Sequence, residues 1–413
     1  MKLGIVTHSL TNLNEGGAER HVKEFIRNAR NAFELYLFPT LDTYLQIQDE
    51  QDQRLLIQRV KDLEKEGISV VSSFYSILEW KISKKDRLVN FLDFRLFRRL
   101  AQSYTDLPEM DFLFSPNFIS PDVVFMAQSS GKKYGILING YVGPLHMGPL
   151  SYSRYKAKIG QESFLTSLPK SLLISRFWRK AVDIMRRYPP KFVAGVNKVA
   201  VEGVMSAIPT NLVVVDPGFA VDPSIVNYRV VQKGNFALFA TARLEPGKGI
   251  LDLVKVMKYL ADVDMKVKIM GRLKEKYSEK FYRLAERYGV RDRIEYLGFI
   301  LGEDRYKVMS EAKVMIYPSH DDTNSLVILE SLAVNTPVVA YDIPGIRYVY
   351  SDIPGVILVK EFDHERMARE VRKVIQSKES PINEGKVAEF ISHHNSWAEV
   401  AEQEINLVLK SLR

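Results

Sequence analysis

Short apolar runs, separated by segments of helical period, recur along the chain. In the first half they fall at 3–7, 34–37, 68–71, 122–125, 134–138, 192–196 and 212–215. Strands that alternate with amphipathic helices predict a parallel sheet covered on both faces, because each connecting helix must pack on the sheet it crosses. The pattern breaks at Asp216-Pro217-Gly218, and two prolines, a glycine and a polar stretch to Gly234 read as a linker. A second alternation follows, with runs at 236–240, 266–270, 294–296, 314–316, 338–340 and 356–358. The last stretch, 396–412, has the period of an amphipathic helix with Ser396 as its N-cap. The expected fold is α/β, with two doubly wound Rossmann-like domains facing a ligand cleft. The expected division is a first domain over 1–216, a linker over 217–234, a second domain over 235–390, and a terminal helix over 391–413 that returns to the first domain.

Composition narrows the chemistry. The chain has 413 residues and no cysteine, which excludes disulfides, thiolate metal sites and a cysteine nucleophile. No apolar run reaches the roughly 18 residues of a membrane-spanning helix, so a cytoplasmic setting is expected. The net charge of +8 is uneven: residues 1–216 hold 29 basic and 22 acidic residues, whereas 151–200 alone hold 11 basic and 2 acidic. Nucleic acid, acidic lipid and phosphorylated substrate all suit such a region. Arg154, Lys156 and Lys158, then Arg176 to Lys180, then Arg186 and Arg187 form one basic group. Lys84, Lys85, Arg87, Arg95, Arg98 and Arg99, interleaved with Phe91, Phe94 and Phe97, form another. Basic and aromatic residues on helices suit an anionic bilayer surface, at the inner face of the membrane.

Three segments could carry chemistry. Gly16-Gly17-Ala18-Glu19-Arg20 follows the first strand and opens a helix, so the backbone can approach a ligand and the helix terminus offers N–H groups to an anion. Arg243 to Gly249 follow the strand at 236–240. There Arg243 supplies a planar fork for phosphate oxygens and Lys248 a point charge. Pro318 to Glu330 run from a strand end into a helix, with Asp322 in the loop and Glu330 two turns further on. These carboxylates suit sugar hydroxyls, although Asp321 or Asp322 could instead cap the helix. Asp262-Val263-Asp264 has the spacing of a metal-binding triplet but precedes a strand, which favours a turn. No pair of the seven histidines has helical metal-ligand spacing.

The order Arg243, Lys248, Gly271, Tyr296-Leu297-Gly298-Phe299, Pro318-Ser319, an acidic residue, Glu330 and Thr336-Pro337-Val338-Val339 resembles the retaining, nucleotide-sugar-dependent glycosyltransferases of the GT-B fold, family 4. The resemblance implies a hexose transfer from a nucleoside-diphosphate sugar to a glycan or lipid-linked hydroxyl. It implies no cofactor beyond that co-substrate; Arg243, Lys248 and helix-terminal N–H groups are placed to stabilise the leaving diphosphate without a metal, and no nucleic-acid module is recognised in the chain. Arg243 and Lys248 then match the pair on the donor diphosphate, Glu330 the ribose ligand and Asp322 the residue facing the sugar. Asn324, Ser325 and Leu326 would offer N–H groups, Leu297 to Phe299 would border the base, and Gly16, Gly17 and Gly271 would lie near the donor. Two features depart from the pattern. Thr323-Asn324-Ser325 replaces the usual Gly-Phe-Gly, and Asn139 stands where a His is common, leaving His146 as a substitute on the acceptor side. A non-catalytic nucleotide-sugar-binding protein and a same-fold synthase or phosphorylase are the alternatives.

Overall fold

The computed structural model describes residues 1–8, 17–45, 47, 50–78, 94–116, 121–140, 147–202, 208–300, 302–377 and 379–413. They form two compact units. The first comprises Met1–Pro149, Lys170–Gly218 and Trp397–Arg413, and the second Leu150–Pro169 and Phe219–Ser396. Residues 150–169, inside the stretch read above as the first domain, thus pack with the second unit.

The first unit is built on seven parallel strands. They are β1 (Lys2–Thr7), β2 (Glu34–Pro39), β3 (Ser69–Val70), β4 (Phe112–Ser115), β5 (Lys133–Ile138), β6 (Phe192–Gly195) and β7 (Asn211–Val214). Their spatial order is β3-β2-β1-β4-β5-β6-β7. Burial on both faces explains why the strands read as continuous apolar runs. Phe112 and Phe114 point into one core with Leu3, Ile5 and Leu137, while Leu113 points into the other with Val6 and Ile136. The helix Trp397–Leu412 adds Ala401 and Val408 to the first of these cores. It also brings Glu404 within 2.5 Å of His21 on the helix Gly17–Ala29, and both side chains are buried.

One strand is misread from the sequence. The run at 122–125 lies in the helix Pro121–Ser130, and the strand is β4, ten residues upstream. This helix is buried on nearly all sides, so its apolar run carries no 3.6-residue contrast with polar positions. Its sequence signal is Pro121, preset for the first helical turn.

The second unit has six parallel strands: β8 (Phe236–Leu244), β9 (Lys266–Leu273), β10 (Ile294–Gly298), β11 (Val314–Tyr317), β12 (Val338–Tyr341) and β13 (Val356–Val359). Their order is β10-β9-β8-β11-β12-β13, so the direction of winding reverses between β8 and β11. Loops leaving adjacent strands toward opposite sides open a crevice at such a point. The two segments singled out for phosphate and sugar binding are the end of β8 with the turn after it, and the loop that follows β11.

Candidate active site

β8 runs further than its apolar core. After a register shift beyond Ala240, Arg243 still pairs with Arg272 of β9. Arg243 therefore stands on a strand extension, with its side chain 58% exposed and 3.7 Å from the Glu245 carboxylate. A short 3-10 turn, Pro246–Lys248, then folds the chain back toward β11. Gly249 ends that turn at φ 84°, and a Cβ there would lie 1.9 Å from the Pro318 carbonyl oxygen. Only glycine combines this left-handed backbone with so close an approach. His320 N–H donates to the Gly247 carbonyl at 2.9 Å and joins the two loops further.

Lys248 is the centre of this junction. Its Nζ lies 3.0 Å from Asp322 Oδ2, with both side chains mostly buried, and it also donates to the Asp321 carbonyl. Asp322 Oδ2 accepts from Tyr317 at 2.7 Å and from Ser319 at 2.8 Å. Burial, with the Asp322 charge beside it, pushes the Tyr317 hydroxyl well above its ordinary range and keeps it a donor. The carboxylate is thus oriented from three sides before any ligand arrives. Gly345 supports the loop from below, because a Cβ there would fall 2.3 Å from the Asp322 carbonyl oxygen.

Ser325 caps the helix Leu326–Ala333 by accepting from the Ile328 N–H, and Tyr350 donates to the Ser325 carbonyl at 2.7 Å. This fixes the helix whose first turn carries Leu326 and whose second carries Glu330. Glu330 is 3% exposed and paired with Arg305, which comes from the helix Glu303–Glu311. Burial would lower the pKa of Arg305, but Glu330 and Tyr306 raise it. Arg305 gave no signal in the sequence, because it lies 25 residues from its partner within an ordinary charged helix. Asn324 is half-buried between Asp322 and Ser325.

At the neighbouring strand ends, Tyr296 donates to the Gly271 carbonyl at 2.9 Å and ties β10 to β9. Leu297 and Gly298 end β10, and the Arg272 guanidinium lies 4.3 Å from the centre of the Phe299 ring. Two expected positions lie in the first unit. Gly17 opens the helix Gly17–Ala29, and Asn139 is half-buried just after β5. Gly16 and His146 lie outside the described residues. The Asp262 to Asp264 triplet forms the turn before β9: Asp262 binds Arg372 at 2.6 Å, and the Asp264 carbonyl accepts from Asn235. Among the described residues, no group of three His, Cys, Asp or Glu is arranged to hold a metal ion.

The basic groups differ in part from the sequence expectation. Phe97, Phe177 and Trp178 are core residues, and Phe94 stacks on Phe177 at 4.8 Å. Lys84, Lys85, Arg87 and Phe91 lie outside the described residues. The exposed apolar side chains of the basic helix Phe164–Arg187 are instead Leu165, Leu172 and Leu173. Leu172 and Leu173 line a cavity of about 580 Å³ with Arg176, Arg179 and Lys180.

Two doubly wound parallel sheets, the second with paired cations and carboxylates at its switch point, define the GT-B architecture. Residues 226–389 match the family described as glycosyl transferases group 1. The chain is 26% identical to phosphatidyl-myo-inositol mannosyltransferase of Mycolicibacterium smegmatis, over 70% of this chain and 81% of that protein. It is 27% identical to the uncharacterized glycosyltransferase MJ1607 of Methanocaldococcus jannaschii, over 43% of this chain and 45% of the relative. Against D-inositol 3-phosphate glycosyltransferase of Corynebacterium efficiens the identity is 28%, over 39% of each. The match therefore spans less than half the length of these last two. Among solved structures, HepE of Anabaena in complex with UDP superposes with a TM-score of 0.67 at 14% identity, covering 99% of this chain and 100% of that one. Sucrose-phosphate synthase from Thermosynechococcus elongatus gives 0.66 at 14%, covering 99% of each. The chain thus shares the GT-B fold of these solved structures, and its residues 226–389 resemble the group 1 glycosyl transferases.

Proposed function

We propose that the protein transfers a hexose from a nucleoside-diphosphate sugar to a glycan or lipid-linked hydroxyl, with retention of anomeric configuration and without a metal ion. The observation that carries this reading is the Lys248–Asp322 pair where the β8 and β11 loops meet. A diphosphate entering the crevice exchanges the carboxylate for phosphate oxygens at Lys248, with Arg243 as a second cation. Asp322, freed from Lys248 but still held by Tyr317 and Ser319, turns to the sugar hydroxyls. Glu330 takes the ribose. As the bond from the anomeric carbon to the diphosphate breaks, charge grows on the leaving oxygen, and Lys248 and Arg243 stabilise it. The acceptor oxygen bonds to the same face of that carbon, and the departing phosphate takes the hydroxyl proton.

The mannosyltransferase relative acts on a phosphatidyl-inositol, by its name, and this favours a lipid-linked acceptor. No helix among the described residues is long and apolar enough to cross a membrane. Exposed Leu172 and Leu173 beside Arg176, Arg179 and Lys180 suit peripheral contact with an anionic surface at the cytoplasmic face. The test is a thermal-shift panel of UDP-, GDP- and ADP-sugars, since a ligand that binds the folded state raises apparent stability by mass action. One donor class is expected to raise the melting temperature, and Lys248→Ala to abolish the rise. With that donor, Arg243→Ala and Lys248→Ala are each expected to cost about 2–4 kcal/mol of transition-state stabilisation. A panel with no shift at all refutes the reading.

A further inference from the structure

His320 sits in the β11 loop, two residues before Asp322, yet its ring turns away from the crevice and is 1% exposed. Its Nδ1 lies 2.6 Å from Glu361 Oε1, and its Nε2 lies 3.1 Å from Asp252 Oδ2. Both ring nitrogens thus lie within ion-pair distance of carboxylates, although only Nδ1 has hydrogen-bond geometry, and two carboxylates this close favour the charged imidazolium. The charged neighbours come from every packed element. Asp252 and Lys255 lie on the helix Ile250–Lys258, and His364 opens the helix His364–Gln376. Tyr341 ends β12, Glu361 follows β13, and Tyr155 and Lys158 come from the helix Pro149–Lys158.

Asp252 is shared among these groups. Its Oδ1 lies 2.5 Å from Lys255 Nζ, and its Oδ2 accepts from Tyr341 at 2.9 Å and lies 3.1 Å from His364 Nε2. On the other side, the Tyr155 hydroxyl lies 2.6 Å from Glu361 Oε1 and 2.8 Å from the His320 carbonyl oxygen. The imidazole packs 4.9 Å from the Phe362 ring, and Lys158 Nζ stands 3.6 Å from the centre of that ring.

We infer that His320 is a positioning residue: hydrogen-bonded to Glu361 and held by the nearby charge of Asp252, it anchors the loop that presents Asp321 and Asp322 to Lys248, and it docks residues 150–169 on the same loop through Tyr155. The role in catalysis rests on the donor-site reading above, but the anchoring does not. Burial opposes charge on His320, yet the two carboxylates raise its pKa above the ordinary value. The anchor is therefore complete below the ordinary imidazole range. It weakens as pH rises through the raised value, because the deprotonated ring loses its charge attraction to both carboxylates and keeps at most the Nδ1 hydrogen bond to Glu361.

The test uses the full chain and two readouts. The first is hydrogen exchange of peptides spanning 318–325 and 150–160, corrected for intrinsic rates, from pH 6 to 9. Protection is expected to fall with rising pH in the parent. In His320→Gln it should be about tenfold lower at pH 6 and independent of pH, the size expected for a lost charge-assisted hydrogen bond. Glu361→Gln keeps the shape of its side chain and guards against a folding defect in the first variant. It is expected to show the same flattening. PH-independent protection in the parent, or unchanged profiles in both variants, overturns the anchor. The second readout is calorimetric binding of UDP and GDP. The nucleotide that Lys248→Ala weakens is expected to bind His320→Gln about tenfold more weakly at pH 6 and no differently at pH 9. Loss of the exchange signature with unchanged nucleotide affinity overturns the positioning role alone. Failure of Lys248→Ala to weaken either nucleotide refutes the donor-site reading and leaves the exchange result standing.

Discussion

Each carboxylate of the site has a cation of its own: Lys248 lies against Asp322, and Arg305 against Glu330. A buried carboxylate without such a partner carries a large desolvation penalty. Arg305→Met is therefore expected to destabilise the protein by about 2 kcal/mol, and Arg305→Met combined with Glu330→Gln by clearly less. Urea unfolding of the two singles and the double checks this, and additive effects would show that the pair is not coupled. A half-buried lysine sets a pH dependence. Burial pulls Lys233 from its ordinary 10.5 down to about 8. Between those values the unfolded chain binds more protons than the folded one, so this group makes stability rise with pH over that window. The stability difference between the parent and Lys233→Met, measured from pH 7 to 10.5, should move in the parent's favour only above about pH 8. At this scale the sequence displayed Lys248, Asp322 and Glu330, because they stand at fixed offsets from strand ends and a helix start. It hid Arg305 and the partners of His320, whose contacts span 25 to 165 residues of chain.

The elements hold these side chains through close backbone approaches. Gly249 lets the β8 loop touch Pro318, and Gly345 lets the helix Pro344–Tyr350 lie beneath the carbonyls of Asp322 and Thr323. Gly345→Ala would set a methyl group 2.5 Å or closer to both carbonyl oxygens. Neither oxygen belongs to a flexible side chain, so the loop itself must move. Nucleotide affinity is expected to fall about tenfold or more, with circular dichroism unchanged. Calorimetry at full affinity would show that the loop tolerates the shift. Alternating runs made most strands visible, since a buried parallel strand is apolar along its length. The same property misassigned 122–125, because a helix buried on all sides looks apolar along its length too. The extension of β8 to Leu244 was also hidden, because Thr241, Ala242 and Arg243 follow a register shift and no longer resemble a core strand.

At the scale of the whole molecule, chain order and packing order differ. The helix Trp397–Leu412 follows the entire second unit in sequence but packs in the first, burying Trp397, Val400, Ala401 and Val408 and placing Glu404 against His21. Its amphipathic period was legible, whereas its partner surface lies nearly 400 residues upstream and left no local trace. Removing residues 397–413 should uncover apolar side chains of the first core and leave His21 buried without its carboxylate. The loss of buried apolar surface alone is on the order of 5 kcal/mol. This loss falls on one unit only. Hydrogen exchange of the truncated chain is expected to show deprotection of β1, β4 and β5, with β8, β9, β11 and β12 as protected as in the parent. Glu404→Ala, which keeps the helix, should give a weaker form of the same pattern through the unpaired His21. Uniform deprotection of both sheets would mean that the two units unfold as one. Unchanged protection of the first sheet would mean that the helix contributes nothing to its core.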